Sequence, residues 1–158
     1  GYSMKNRVMT QTLIKSGTEP NLTADQEEHF FTYSLYPHAG TWREAGTEQE
    51  ALNLNVPAKA VAGAAEKDRM EFLSVDKRDV VLETVKKAED GDGVIVRLYE
   101  VENARTKVTL HCAEAIAFAE ETDLLENPVE GALGVKENEI ELTIKPYEIR
   151  TIRIRTAK

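Results

Sequence analysis

The chain has 158 residues, which is enough for one ordinary domain or two small β units, and its 41% apolar residues support a packed core. Its 20 basic and 28 acidic residues give a net charge of −8, which argues against nucleic acid as a partner. No apolar run reaches the roughly eighteen residues of a membrane-spanning helix. The chain has a single cysteine, Cys112, which excludes an intrachain disulfide and fits a reducing, cytoplasmic compartment.

The first predicted elements are two strands. Residues 7–14 alternate, with Val8, Thr10, Thr12 and Ile14 on one face, and therefore predict a strand. Residues 28–36 are rich in aromatic side chains and predict a second strand. Residues 16–21, SGTEPN, have the composition of a loop between them.

One short helix is predicted next. Thr41 and Glu44 have the spacing of a capping box, in which each side chain accepts a hydrogen bond from the other residue's amide. Pro57 has no amide hydrogen and disfavours helix in the residue before it, so the helix is expected to end by about Asn55. Residues 58–68 are rich in small and then charged residues, so we place a boundary between domains 1–64 and 65–158 there.

The β pattern is stronger after this boundary. Residues 80–87 and 94–101 flank the sequence DGDG, which predicts a hairpin because glycine accepts positive φ without steric cost. Further strands are predicted around Val108, Leu110 and Cys112, around Ile116 and Phe118, and at Ile140, Leu142 and Ile144. Residues 124–134 are predicted as a loop. The spacing from Ile149 to Ile152 breaks the alternation and predicts a bulge near residues 150–151.

These elements predict an all-β fold with one short helix. Strands at this spacing, with turn signals between them, are typical of a small antiparallel β-sandwich. Residues 1–64 offer too few strands to cover both faces of an aromatic-rich sheet. We therefore expect this segment to be the end of a large β-sandwich, truncated on its N-terminal side, followed by the small sandwich.

Several segments resemble the C-terminal region of glycoside hydrolase family 38. Residues 13–20, LIKSGTEP, and residues 24–38, ADQEEHFFTYSLYPH, are similar to a strand, loop and motif of that region. Residues 85–93, VKKAEDGDG, with RLYE at 97–100, resemble a second signature. Residues 145–151, KPYEIRT, resemble the closing strand of the terminal, immunoglobulin-like sandwich. The opening GYS is similar to the tail of a family segment, which implies native chain upstream.

The resemblance implies that this chain is the non-catalytic C-terminal β region of a class II α-mannosidase. Members of the family are zinc-dependent retaining enzymes, in which one carboxylate attacks the anomeric carbon and a second acts as acid and then base. Their zinc ligands and nucleophile lie in an N-terminal domain, so no catalytic residue and no cofactor is expected in this chain. The fragment alone is expected not to be an enzyme, whereas the parent protein is.

The resemblance also implies partners and a rim for the parent's active site. The expected partners are the catalytic domain of the same chain and, through it, a mannose-containing glycan. The candidate rim residues are Lys15, Asp25, His29 and His38; relatives tend to carry arginine where this chain has Lys15. Nucleic acid and membrane partners are not expected.

The remaining groups of histidine, acidic and aromatic residues are interpreted as structural or surface features. His29, His38 and His111 lack the close spacing of zinc ligands, and no HExxH or CxxC is present, so no metal site is predicted. The acidic clusters are interpreted as solvated surface. The aromatic residues of the first segment and Trp42 are predicted as core, with a sugar-stacking platform as the alternative reading.

The competing hypothesis for the whole chain is a stand-alone carbohydrate- or protein-binding β-sandwich module. The two hypotheses differ in what precedes Gly1: several hundred residues with a metal-binding set, or a linker or start site. For the truncated fragment we also expect partial self-association, because apolar surface lacks the strands that cover it.

Overall fold

A computed structural model describes residues 1–64 and 67–157 of the chain. The chain divides into two compact units, Gly1–Pro37 and a second unit that begins at His38. The predicted domain boundary between residues 64 and 65 adjoins residues 65–66, which lie outside the described residues, and it stays a prediction. The elements are β1 (Tyr2–Lys5), β2 (Val8–Gln11), α1 (Thr47–Asn55), β3 (Leu73–Val75), β4 (Val80–Lys87), β5 (Val94–Glu100), β6 (Thr106–Cys112), β7 (Ile116–Thr122), β8 (Pro128–Ala132), β9 (Val135–Lys136), β10 (Glu139–Ile144) and β11 (Ile149–Thr156).

The first unit contains one antiparallel hairpin, β1 with β2. Its turn uses Asn6 and Arg7, both with positive φ (51° and 64°), as a two-residue hairpin turn requires. The strand predicted over residues 7–14 is present in its first half. The strand predicted over residues 28–36 is wrong: this segment is irregular. A strand is defined by hydrogen bonds to a neighbour, and no strand of the described first unit pairs with it.

The aromatic rings of the first unit are exposed. The exposed fraction is 87% for Phe30, 50% for Phe31, 64% for Tyr33 and 44% for Tyr36. The prediction that these rings are core residues is therefore wrong for this chain, because too few described residues are available to cover them. Exposed apolar surface is what an incomplete sheet is expected to show.

The second unit begins with the predicted capping box and helix. The Thr41 amide donates to Glu44 Oε2 at 2.7 Å, and the Glu44 amide donates to Thr41 Oγ1 at 3.3 Å. The capped segment is a turn, however, and α1 starts only at Thr47, after Gly46 with φ of 65°. A left-handed residue interrupts a right-handed helix, which explains the later start. The helix ends at Asn55, as predicted.

Two antiparallel sheets form the rest of the second unit. One sheet has the strand order β3-β6-β10-β9, and the other has the order β4-β5-β11-β7-β8. The predicted hairpin of β4 and β5 is confirmed, as are the strands predicted around Val108, Ile116 and Ile140. This arrangement confirms the predicted all-β class and the antiparallel sandwich.

The hydrophobic core lies between these two sheets. The four-stranded sheet contributes Val108, Leu110, Cys112, Ile140, Leu142 and Ile144, and the five-stranded sheet contributes Val96, Leu98, Ala119, Ile152 and Ile154. Burial of each large aliphatic side chain stabilises the fold by roughly 1.5–3 kcal/mol relative to exposure. The face of the five-stranded sheet that points away from this core is called the outer face below.

Two details of the five-stranded sheet differ from the sequence predictions. Residues 128–132, inside the predicted loop 124–134, form β8 and pair with β7. The bulge predicted near residues 150–151 is absent, because β11 pairs with β5 in unbroken register from Ile149 to Ile154. Ile149 is exposed on the outer face whereas Ile152 is buried in the core, so the spacing of three needs no extra residue.

Candidate functional site

The residues predicted as an active-site rim lie in irregular segments. Asp25 joins two of these segments within the first unit: Ser16 Oγ donates to Asp25 Oδ2 at 2.5 Å, and the Asp25 carbonyl lies 3.0 Å from His29 Nε2. Lys15 directly precedes Ser16 and is exposed. The structure thus brings Asp25 and His29 together, with Lys15 next to the serine that contacts Asp25.

His38 begins the second unit. Its Nδ1 lies 3.2 Å from the carbonyl oxygen of Ala39, and the residue is exposed. Among residues 1–64 and 67–157, no group of three or more His, Cys, Asp or Glu side chains is placed to hold a metal ion. None of the helices in these ranges is long and apolar enough to cross a membrane.

A cavity of about 610 Å³ opens on the outer face of the five-stranded sheet. Its position follows from the sheet register: Tyr99 on β5 pairs with Ile149 on β11, and both alternate with residues that point into the core. Tyr147 lies in the turn before β11, and Glu48 belongs to the first turn of α1. The lining used below, called the outer cavity, comprises Glu48, Glu83, Arg97, Tyr99, Tyr147 and Ile149.

Tyr147 is held in a conformation that tyrosine rarely adopts. Its φ is 54°, in the left-handed region, and its side chain is 60% exposed. Its amide donates to Glu100 Oε2 at 2.9 Å. Left-handed backbone at a bulky residue costs about 1–2 kcal/mol and persists only where the surroundings impose it. The buried carboxylate therefore contributes to holding this strained residue at the mouth of the cavity.

The Glu100 carboxylate fixes the backbone next to the outer cavity. It is 1% exposed, and Oε1 also accepts hydrogen bonds from the amides of Glu102 (2.7 Å) and Ala104 (3.1 Å). Burial is the largest single influence on its pKa and acts to raise it. The hydrogen bonds from the amides of Tyr147, Ala104 and Glu102 act together in the other direction, and the net effect is a lowered pKa.

Glu83 reaches the outer cavity through a β-bulge. In the pairing of β4 with β5, Leu82 opposes Leu98 and Thr84 opposes Arg97, so Glu83 is the extra residue. A bulge re-aims side chains along the strand that contains it, and bulges are frequent beside functional sites. The acidic side chain thus lines the cavity beside Arg97 and Tyr99.

Arg97 differs from the other arginines of this sheet. Arg150, Arg153 and Arg155 each form an ion pair with a carboxylate. Arg97 forms none with a described residue; one Nη donates to the carbonyl oxygen of Leu124 at 3.0 Å. A guanidinium has five N–H donors, so Arg97 keeps donors for a molecule in the cavity.

The rest of the outer face is covered by a structural ion-pair network. Arg153, whose side chain is 8% exposed, lies 2.6 Å from Asp90 in the β4–β5 loop and donates to the Glu126 carbonyl at 3.2 Å. Lys86 Nζ lies 2.6 Å from Glu126 Oε1. The hydrogen bonds from Lys86 and from the Glu89 amide lower the pKa of the Glu126 carboxyl. The DGDG segment is therefore fastened to the sheet, and its role here is structural.

The residues of the outer cavity were not among the predicted site residues. The sequence KPYE marked the start of a strand, and the hairpin pattern placed Glu83 and Arg97 on strands. Neither the positive φ of Tyr147 nor the bulge at Glu83 has a composition signal. The first depends on a turn whose amide bonds to Glu100, and the second depends on the register of β4 against β5. The arrangement combines aromatic surface, carboxylates and a guanidinium, which are groups that can bind a small molecule.

Comparisons with known proteins show what this chain is similar to. Residues 79–152 match the model of the glycosyl hydrolases family 38 C-terminal beta sandwich domain. The chain is 35% identical over 159 residues to Alpha-mannosidase 2C1 of Mus musculus, which covers 96% of this chain and 15% of that protein. It is 33% identical to Alpha-mannosidase 2C1 of Homo sapiens (96% and 15%) and 32% identical to Alpha-mannosidase G of Dictyostelium discoideum (97% and 15%). The chain thus spans about 15% of the length of these relatives.

Proposed function

We propose that this chain is the non-catalytic C-terminal β region of an α-mannosidase, because residues 79–152 match the glycosyl hydrolases family 38 C-terminal beta sandwich domain. The observation that carries the proposal is the pairing of two facts. Relatives named as α-mannosidases match 96–98% of this chain, yet the match accounts for only 15–16% of their length. The remaining length leaves ample room for the catalytic machinery elsewhere in such a protein.

The chemistry of the chain supports an accessory role. Retaining glycosidases need two carboxyl groups about 5 Å apart in a cleft that holds the sugar. The described buried carboxylates instead accept hydrogen bonds from backbone amides or pair with basic side chains, as Glu100 and Glu126 do. We assign zinc and the nucleophile of the parent enzyme to a domain outside this chain.

The proposal includes partners and a compartment. The first partner is the catalytic domain of the same polypeptide, and the second, through that domain, is a glycan containing α-linked mannose. Lys15, Asp25, His29 and His38 are proposed to lie at the rim of the parent's active site. A cytoplasmic location is proposed because the sole cysteine, Cys112, is a buried free thiol.

A deletion experiment tests the proposal. The longer polypeptide encoded by the same gene is prepared whole and without the 158 residues, and both are assayed on an aryl α-mannoside with zinc. We expect zinc-dependent hydrolysis by the whole protein and reduced stability or activity after the deletion. A gene product that begins at Gly1, or a longer protein without mannosidase activity, would contradict the proposal and favour a stand-alone binding module.

A further inference from the structure

We propose that the outer cavity is a binding subsite for a neutral pyranose sugar. The proposal rests on the proposed function only in the choice of mannose as the sugar to test. Its other support comes from three independent features that meet at one place: a strained tyrosine, a bulged glutamate and an arginine without a carboxylate partner in the described chain.

The size of the cavity suits a small sugar. Its volume of about 610 Å³ lies within the 300–1,000 Å³ that is usual for small-molecule sites. Such sites combine apolar walls with a few convergent polar groups, and this cavity has that composition. Ile149 and the two tyrosine rings form the apolar part, whereas Glu48, Glu83 and Arg97 supply the polar groups.

The tyrosines provide a surface for the C–H face of a sugar ring. Tyr147 is 60% exposed and Tyr99 is half-buried, so both present ring area at the cavity. An exposed aromatic ring on a fixed backbone supplies contact area at a low cost in conformational entropy, since only two side-chain torsions become fixed. The strain at Tyr147 is the kind of backbone outlier that clusters at ligand sites.

The polar groups select a neutral, hydroxyl-rich ligand. Carboxylates such as Glu48 and Glu83 accept hydrogen bonds, whereas Arg97 donates them, and a sugar hydroxyl can do both. The lining holds one guanidinium and three carboxylates, those of Glu48, Glu83 and the buried Glu100. This excess of negative charge repels phosphate and carboxylate ligands. A neutral pyranose satisfies both kinds of group at once.

Ligand-observed saturation-transfer NMR on the 158-residue chain tests the proposal. The probes are methyl α-D-mannopyranoside and α-linked mannobiose at about millimolar concentration, where complexes with a Kd near 1 mM form. We expect saturation transfer to the sugar ring protons. In Tyr147→Gly we expect the Kd to rise about tenfold, the effect of roughly 1.4 kcal/mol of lost contact, so that saturation transfer falls about fivefold at this sugar concentration. Glycine accepts the positive φ at this position, so this variant is expected to stay folded.

Matched variants separate the site from general effects. Tyr147→Phe keeps the ring and is expected to keep binding, whereas Glu83→Gln is expected to weaken it. Glu141→Gln changes an exposed carboxylate on the four-stranded sheet and is expected to leave binding unchanged. Circular dichroism confirms the fold of each variant.

Two results would overturn the subsite. One is the absence of saturation transfer with either sugar, which would instead favour contact between the cavity and another part of the parent protein. The other is transfer that persists undiminished in folded Tyr147→Gly. If the longer polypeptide still hydrolyses an aryl α-mannoside in either case, the proposed function stands and only the subsite fails. Sugar binding here without mannosidase activity in the longer polypeptide would support the subsite and contradict the proposed function.

Discussion

At the scale of single residues, Glu100 is the most informative side chain. It is buried, forms no ion pair with a described residue, and its two oxygens accept hydrogen bonds from the amides of three residues: Glu102, Ala104 and Tyr147. A carboxylate is well suited to this position because it only accepts hydrogen bonds. The backbone that it fixes includes the strained Tyr147, so Glu100 links the stability of the sandwich to the shape of the outer cavity.

Replacing Glu100 by glutamine is expected to destabilise the fold. One carboxylate oxygen becomes an NH₂ group that faces backbone N–H donors, so at least one buried hydrogen bond is lost. We expect a loss of about 1–3 kcal/mol in the free energy of unfolding, measured by urea denaturation. Glu141→Gln, on the exposed face of β10, serves as the control and is expected to change the free energy by less than about 0.5 kcal/mol. Equal stability of the two variants would refute this role for Glu100.

The lowered pKa of Glu100 predicts how this contribution varies with pH. A pKa below the value of 4.5 for an unfolded glutamate means that the native state favours the ionised form. Its stabilisation is therefore complete above the unfolded pKa and is lost as the pH falls through the folded pKa. The difference in unfolding free energy between wild type and Glu100→Gln is expected to shrink below about pH 4.5. A difference that stays constant from neutral to acidic pH would contradict the assignment.

Sequence reasoning reached individual residues unevenly. It placed Val108, Leu110 and Cys112 on one face of a strand, since strict alternation reports directly on the two faces, and the structure buries all three. It did not find Tyr147 or Glu83 as site residues. Their orientation depends on a left-handed φ and on a skipped register position, which are set by neighbouring strands and leave no local pattern.

At the scale of elements, the β4–β5 hairpin shows how turn chemistry fixes a strand pair. Both glycines of DGDG have positive φ, 80° at Gly91 and 93° at Gly93. A Cβ at Gly93 would lie 2.5 Å from the carbonyl oxygen of Ile154, whereas at Gly91 the nearest atoms belong to the flexible Lys87 side chain at 3.6 Å. Gly93 is thus required by both conformation and space, and Gly91 by conformation alone.

The two glycine-to-alanine substitutions are expected to differ in cost. Gly91→Ala should destabilise the protein by about 1–2 kcal/mol, the cost of a Cβ in a left-handed conformation. Gly93→Ala should cost more than about 3 kcal/mol, because it adds a clash with the backbone of the central strand β11. Thermal or urea unfolding of both variants measures the difference. Equal destabilisation by Gly93→Ala and Gly91→Ala would contradict the clash assigned to Gly93.

Elements were predictable where their signal is local. The DGDG hairpin and the helix end before Pro57 are encoded by residues within a few positions, and the structure confirms both. The segment 28–36 has strand composition but no described strand to pair with, so the strand predicted from its composition is absent. Residues 128–132 begin with a proline and contain a glycine, yet they form β8 because β7 offers a free edge there.

At the scale of the whole molecule, the two units differ in how well they cover their apolar residues. The second unit has a continuous core between two sheets. The first unit leaves Phe30, Tyr33 and Leu35 between 64% and 87% exposed. Apolar surface on this scale marks a site for contact with other protein.

The isolated chain is therefore expected to self-associate partially. The average mass measured by light scattering should rise above that of a monomer as the concentration increases. The double variant Phe30→Ser with Leu35→Ser should reduce this rise, because it removes two exposed apolar side chains while the sandwich core is unchanged. A constant monomer mass for the unsubstituted chain at all concentrations would count against this prediction.

We propose that this chain is the non-catalytic end of a larger α-mannosidase. The most direct test of this proposal is hydrolysis of an aryl α-mannoside by the purified 158-residue chain with zinc, side by side with the longer polypeptide from the same gene. We expect zinc-dependent turnover by the longer polypeptide and no turnover above background by the 158-residue chain. Turnover by the 158-residue chain, or none by the longer polypeptide, would contradict it.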